Sequence, residues 1–589
     1  MRRNLIAALL AIATAAALPQ AAKTSAHSPA TLRIGLWTLN HDKEVTVSPA
    51  SESVSTLRMC DSCAESRLNH STLLRAGNAA LLLPGNQQAA SVALTGAVTL
   101  TAHGQSLTLS NPVRISARNG ALVLAVTLPV ETYVERVVAS ESGPDDTFES
   151  LKALAIVVRS FALHQSHGHA DYDLCDSTHC QLLRWGSSSS RQAAAHAATL
   201  ATAGETLWFH GQRAAAWFHQ NCGGRTASPT EVWLSGTPNK EAPRKPMPWL
   251  TSRIDPYCAA SGTREWSASV SLSDLTAALA AAGLVRPGWK TLAVARRGES
   301  GRAVTLMVGA TEISAEDFRL AIGRALGWDK ILSNWFELSR QGDQFVFHGR
   351  GTGHGGGLCQ AGSAAMAALG RDSSQILAQY FPGATVADEA TGRAWQSLRG
   401  QGFVLEALDS ADPGAAADLP LLAQALAEAE TRSGMQADGP ITVRAFPSTT
   451  AFRDATLAPG WVAAFTEGNW IATQPLATLA ARKLLVPTLR HEFLHALVEG
   501  QAAASPPLWL REGLVEAWGG NAHSTGPTPT LKLDAVDRAL AHAASEEQSE
   551  SAHRAAGWYA QRLVDRYGRA QVLTWLRSGL PTDAVASFR

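Results

Sequence analysis

The chain has 589 residues, with 50 Lys plus Arg against 50 Asp plus Glu and a net charge of zero when His is neutral. That length implies several domains, and the charge balance gives a nucleic acid or an anionic lipid surface nothing to hold, so no nucleic-acid partner is expected. Hydrophobic residues make up 46%, which suits conventional cores rather than a disordered chain.

The N-terminus reads as an export signal over residues 1–26. Arg2 and Arg3 precede an apolar stretch at 5–18, and Ala21, Ala22 and Ala26 offer small-residue cleavage positions. The apolar run is short for a membrane span, and after signal removal no segment reaches about 18 uninterrupted apolar residues, so no transmembrane span is expected. The expected location is the periplasm, the cell envelope or the exterior, where disulfides are permitted. Seven cysteines are present, and an odd count leaves at least one thiol free or on a metal.

Residues 31–128 alternate or run apolar between turn residues and predict a β-rich region. Within it, Cys60 and Cys63 lack a second Cys pair to complete a four-thiolate site, which leaves a local disulfide or a loop without chemistry. A helix is predicted near 148–165, with Leu151, Leu154, Ala155, Val158 and Phe161 on one face and Asp145, Asp146 and Thr147 ahead of it as caps. Just upstream lies Glu141, at a loop–helix junction. It suits a general acid/base or, more plainly, a charge favourable to the helix dipole.

The wider pattern around Glu141 resembles the stage II sporulation protein D, or amidase-enhancer, family. Pro129, Glu131, Tyr133, Val137, Val138 and Glu141 match its first motif. Leu151, Lys152, Ala153, Arg159, Ala162 and Leu163 match its second. "HQNCGGRT" at 219–226 and "GRGTGHGGGLCQAGSAAMA" at 349–367 match its Gly-Gly and Gly-His-Gly elements, and "DFRLAIG" and "SNWFELS" fit between them. The resemblance spans about 31–386. It implies lytic transglycosylase activity on peptidoglycan glycan strands, with Glu141 as the single catalytic carboxyl. Such a carboxyl must begin protonated near neutral pH. Ser142 stands where the family often has Met. Arg159, Gly223, Gly224, Gly353, His354 and Gly355 are the candidate substrate-binding residues. The glycines around His354 would let a sugar approach the backbone, or form a tight structural turn.

Between these motifs, His169, Cys175, His179 and Cys180 offer two imidazoles and two thiols within twelve residues. The set suits tetrahedral zinc, or a Cys175–Cys180 disulfide beside ordinary histidines. The resemblance implies zinc here, in a closed site, with His167 as the rival for the first ligand. A disulfide between Cys222 and Cys258 would tie the Cys-Gly-Gly element to "DPYC" and leave Cys359 as a free thiol.

A polar passage at 387–402 is the expected linker, and a second domain is expected over 403–589. It opens with a helix-like run at 419–433 and a strand, "PITVRAFPS". A strand-like stretch, "WVAAFTEGNWIATQP", follows. Then comes His491-Glu492-x-x-His495, on a helix with Pro487 in its first turn and Gly500 at its end. The spacing puts both imidazoles on one face, with Glu492 beside them as a general base. The next predicted helix begins at Pro507 and carries Glu512 and Glu516. This combination resembles the gluzincin metallopeptidases of the peptidase-MA-like branch. It implies catalytic zinc on His491, His495 and Glu512, with Glu516 as the alternative third ligand. It also implies an edge strand at "WVAAFTEGNWIATQP" that pairs with a peptide or protein substrate, and a closing helix at 557–568 from which Tyr559 is within possible reach of the site.

The expected fold is α+β in both parts. The leading functional expectation is an exported peptidoglycan-remodelling protein that cleaves glycan with its first domain and peptide with its second. Two alternatives stand beside it. One is a non-catalytic wall-binding activator of an amidase, and the other a secreted metallopeptidase with a wall-targeting module.

Overall fold

The alternating segments of the first hundred residues pair into two sheets that share one core. In the computed structural model, which describes residues 30–50, 54–164, 169–186, 189–233, 247–408, 414–502, 506–520 and 528–588, both helices and strands are abundant, and the fold is α+β. The expected signal segment and His167 lie outside the described residues. A seven-stranded sheet runs from Leu174–Cys175 through Thr31–Leu36, Ala121–Pro129, Val113–Arg118, Ser91–Thr95 and Thr56–Arg58 to Ser66–Arg67. A six-stranded sheet completes the layer pair. Period-two burial fixes the register: Leu122, Leu124, Val126 and Leu128 face inward along Ala121–Pro129. Cys60 and Cys63 form the local disulfide.

The Ala121–Pro129 strand leads without a loop into the helix Val130–Glu141, with Pro129 as N-cap and Tyr133, Val134, Val137 and Val138 fully buried. Phe148–Ala162 is the next helix, capped by Thr147 and Ser150 in a reciprocal box. Asp146 does not cap this helix through its N3 amide. Its carboxylate accepts from the Gly143 N–H and the Ser150 hydroxyl.

Residues 265–350 form a unit of their own, unexpected within what the sequence suggested was one domain. Two three-stranded sheets and the helices Leu272–Ala281 and Ala315–Leu326 enclose a separate core that includes Leu275, Phe318, Phe336 and Phe347. The chain leaves the parent domain after Pro256–Ser261 and returns at Leu358–Cys359, which pairs in parallel with Phe218–His219.

The passage 387–402 is not a plain linker. Its first residues end the strand Thr385–Asp388, and Trp395–Arg399 forms one edge of the C-terminal five-stranded sheet. An edge strand exposed along most of its length is polar, which is why its composition reads as a connection. The other edge corrects a second expectation. "WVAAFTEGNWIATQP" is a hairpin, Ala464–Glu467 and Trp470–Thr473, turning at Gly468, and only its first strand lies at the edge. The helices Ala415–Ser433, Leu485–Gln501, Leu508–Gly519 and Glu546–Tyr567 share the C-terminal core. The two halves meet around Arg444, a buried guanidinium held between Glu205 and Glu406. They meet again at His196, which bridges Glu135 and Glu467.

Candidate active site and metal centres

Glu141 is the last residue of its helix, after which Ser142 turns to an extended conformation. Its side chain is half-buried, and one carboxylate oxygen accepts the Leu182 N–H at 3.2 Å. Gln360, the first residue of the helix Gln360–Ala368, donates from its amide to the Glu141 carbonyl at 3.0 Å, so the Gly-His-Gly segment ends against the same spot. Burial pushes the Glu141 carboxyl up to about 7, against the lesser opposing pull of the Leu182 N–H and the Arg184 guanidinium. Gln360 belongs to the Gly-His-Gly element already singled out, whereas Leu182 carries no signal that sequence reasoning could have used.

The segment that supplies the Leu182 N–H also carries the Cys/His cluster. Ligand atoms of His169, Cys175, His179 and Cys180 all lie within 4.8 Å of one another. His169 Nε2 is 3.2 Å from Cys180 Sγ, and the Cys175 and Cys180 sulfurs are 3.2 Å apart without a disulfide. The Cys175 N–H points at Cys180 Sγ. Burial lowers the His169 pKa, which favours the neutral imidazole that binds metal. Four donors of this chemistry, converging on one point, fit a closed tetrahedral zinc site. Gln181, next in the chain, accepts from the buried Tyr133 hydroxyl at 3.0 Å. This bond ties the cluster's segment to the helix that ends at Glu141.

Arg159 does not face a substrate. It is completely buried, forks onto both Glu131 oxygens at 2.9 and 2.6 Å, and donates to the Glu205 carbonyl. Its motif position reflects this internal clamp. Arg159→Ala should destabilise the fold by about 3–5 kcal/mol by stranding Glu131. Chemical denaturation checks this, and a stable protein with weakened glycan binding would be the opposite result.

The glycine-rich turn packs against protein. A Cβ on Gly357, at φ 78°, would sit 2.0 Å from the Trp217 carbonyl, and one on Gly355 would strike the Arg302 guanidinium. Gly353 lies over His219, and Gly223 over Trp335 and Arg350. Gly224 has φ 99° and is the least crowded of these. His354 is half-buried between His219 and Trp233, and burial lowers its pKa to about 4. The turn reading therefore has a direct physical account.

In the C-terminal domain, Leu485–Gln501 brings His491 and His495 together with their Nε2 atoms 3.1 Å apart. Glu512, from Leu508–Gly519, places a carboxylate oxygen 3.3 Å from His495 Nε2 and joins the same cluster within 4.8 Å. Glu516 instead lies 3.9 Å from His491 Nδ1, behind the ring. The three converging donors fit a zinc site with an open position, and they favour Glu512 over Glu516. Burial raises the Glu492 carboxyl, which accepts the Thr466 hydroxyl at 2.6 Å from the edge strand. Sequence reading missed His553, 3.5 Å from Glu512, because a lone His on a long helix has no motif. Despite burial, His495 and His553 hold Glu512 down to about 2. Tyr559 does not reach the site. Its hydroxyl donates to the Leu531 carbonyl.

Comparison with known proteins addresses the first half. Residues 118–209 match the family described as stage II sporulation protein. That span contains Glu141, Arg159 and the whole Cys/His cluster. The N-terminal part is sporulation-protein-D-like. Stage II sporulation protein D of Bacillus subtilis is 24% identical over 295 residues, covering 47% of this chain and 80% of that protein. The Bacillus amyloliquefaciens protein of the same name is 25% identical over 276 residues, covering 44% and 75%. An uncharacterized protein of Brachyspira hyodysenteriae is 26% identical over 273 residues, covering 46% and 70%. Residues 260–357 match a domain of unknown function (DUF8618), and this span takes in the inserted unit along with "DFRLAIG" and "SNWFELS". These two family matches end before the C-terminal sheet begins.

Proposed function

We propose that this protein remodels peptidoglycan, cleaving glycan strands by lytic transglycosylation through Glu141 and peptides through a zinc-dependent C-terminal centre, after export to the cell envelope. The observation that carries the reading is the Glu141 carboxyl, raised to about 7 by burial within a sporulation-protein-D-like domain. A protonated carboxyl donates to the glycosidic oxygen as the bond breaks. The resulting carboxylate takes the proton from the muramic acid 6-hydroxyl, whose oxygen closes onto C1 and forms the 1,6-anhydro ring. One carboxyl does both steps. Hydrolysis would ordinarily call on a second carboxyl for the water or for a covalent intermediate, and this route does not.

At the second centre, His491, His495 and Glu512 would hold a zinc ion, which would supply Lewis-acid polarisation. Glu492 takes a proton from the attacking water and delivers it to the leaving amine, with the Thr466 hydroxyl fixing its orientation. Ala464–Glu467 is the last strand of its sheet and offers that edge to an extended peptide.

The pH profile tests the glycan reading. The active form of Glu141 is the acid, so kcat/KM should be level below about pH 6 and fall about tenfold per pH unit above about 7. A profile that rises through neutrality would require the carboxylate as the starting form and would contradict the assignment.

A further inference from the structure

The base of the inserted unit holds a third cluster of metal donors, and it replaces the expected disulfide. Cys222, Cys258 and Cys359 are completely buried and unpaired by disulfide, and Asp255 is buried with them. Their ligand atoms all lie within 4.8 Å of one another. Cys222 is separated from Cys258 by 36 positions and from Cys359 by 137, so the cluster is tertiary and no sequence motif announces it.

We propose that Cys222, Cys258, Cys359 and Asp255 bind one zinc ion in a closed, structural site. Asp255 is the strongest argument. Its oxygens accept from Cys222 Sγ, the Cys258 N–H and the Tyr380 hydroxyl, and among the described residues no basic side chain pairs with it. A carboxylate buried without a counter-charge is costly, and a metal ion supplies that charge. The sulfurs are prepared as well. Cys359 caps the helix Gln360–Ala368, and its sulfur accepts the N–H groups of Cys222 and Gly362 at 3.2 and 3.4 Å. Two backbone N–H groups thus already point at this sulfur within the cluster. Arg302 lies one layer out, bonded to the Cys222 and Arg225 carbonyls, and offsets the excess negative charge of three thiolates and a carboxylate around a divalent ion.

The donor set selects the metal. Three thiolates and one carboxylate suit tetrahedral zinc, with sulfurs about 2.3 Å from the ion. An iron–sulfur cluster would hold its cysteines apart by its own iron and sulfide atoms and does not fit the short span between these donors. A Cβ on Gly362 would lie 2.5 Å from Asp255, so this glycine leaves the room the carboxylate occupies. Topology gives the site its purpose. Cys258 and Cys359 flank the 260–357 segment, while Cys222 belongs to the parent strand region. One ion thus fastens both ends of the insertion to the Cys-Gly-Gly element. It also anchors the residue before Gln360, whose amide reaches Glu141.

The test uses the full chain. In a variant carrying Cys175→Ala, Cys180→Ala, His491→Ala and His495→Ala, elemental analysis should still find one zinc per chain. Its complete absence would overturn the proposal. In the otherwise unaltered chain, Cys359→Ser should lower the zinc content by one equivalent relative to the parent, and an unchanged content would overturn it. Mass analysis after unfolding in chelator without reductant covers the case in which the variants misfold. All three thiols should be alkylated, and a disulfide joining any two of them would overturn the site.

Discussion

Glu141→Gln should lower glycan cleavage by about a thousandfold, the scale of a lost general acid, and leave the fold and metal content unchanged. The amide keeps the volume of the carboxyl, and its carbonyl oxygen still accepts the Leu182 N–H. It has no proton to give to a glycosidic oxygen and no carboxylate to receive one from the 6-hydroxyl. Burial is the cause of the raised pKa, so Glu141→Asp should also suffer, because a shorter side chain withdraws the acid from its position. Turnover by Glu141→Gln at the parent rate would remove the residue from the chemistry. Loss of activity together with loss of zinc or of cooperative unfolding would mark a structural role instead.

The second large effect belongs to the C-terminal centre. Glu492→Gln should abolish proteolysis by about the same factor while keeping zinc, since it removes the proton acceptor and spares the ligands. His491→Ala should lose both. Glu512→Ala should weaken zinc binding far more than Glu516→Ala, because Glu512 lies beside the paired Nε2 atoms and Glu516 behind the His491 ring. Zinc content and casein cleavage, measured on the same preparations, check all four variants. Stripping of the metal by Glu516→Ala with retention by Glu512→Ala would move the third ligand one helical turn.

Much of this was legible in the sequence because it depends on short spacing. The histidines at i and i+4 had to share a face of one helix, and the four Cys/His donors lay within twelve residues, so local geometry carried both clusters. The sheets around Val47, Leu100 and Leu124 announced themselves by alternation. What failed was whatever depends on long-range placement. Arg159 resembles a ligand-binding cation until Glu131 and Glu205 are seen around it. The buried Cys222, Cys258, Cys359 and Asp255 cluster joins segments more than a hundred residues apart, and parity alone suggested a disulfide. The insertion is not marked off in the sequence because "DFRLAIG" and "SNWFELS", which fit between the family's elements, lie inside it. "WVAAFTEGNWIATQP" was misread as one strand although Glu-Gly-Asn at its middle is a turn signal, realised at Gly468.

The most direct test of the central claim is digestion of purified peptidoglycan, both intact and stripped of stem peptides, by the unaltered full chain in water labelled with heavy oxygen. Lytic transglycosylation predicts unlabelled 1,6-anhydro-muramic acid ends, each fragment lighter by one water than the product of hydrolysis. Labelled reducing ends would show a hydrolase. No glycan cleavage from either substrate, with stimulation of an added amidase, would show a non-catalytic activator and contradict the account.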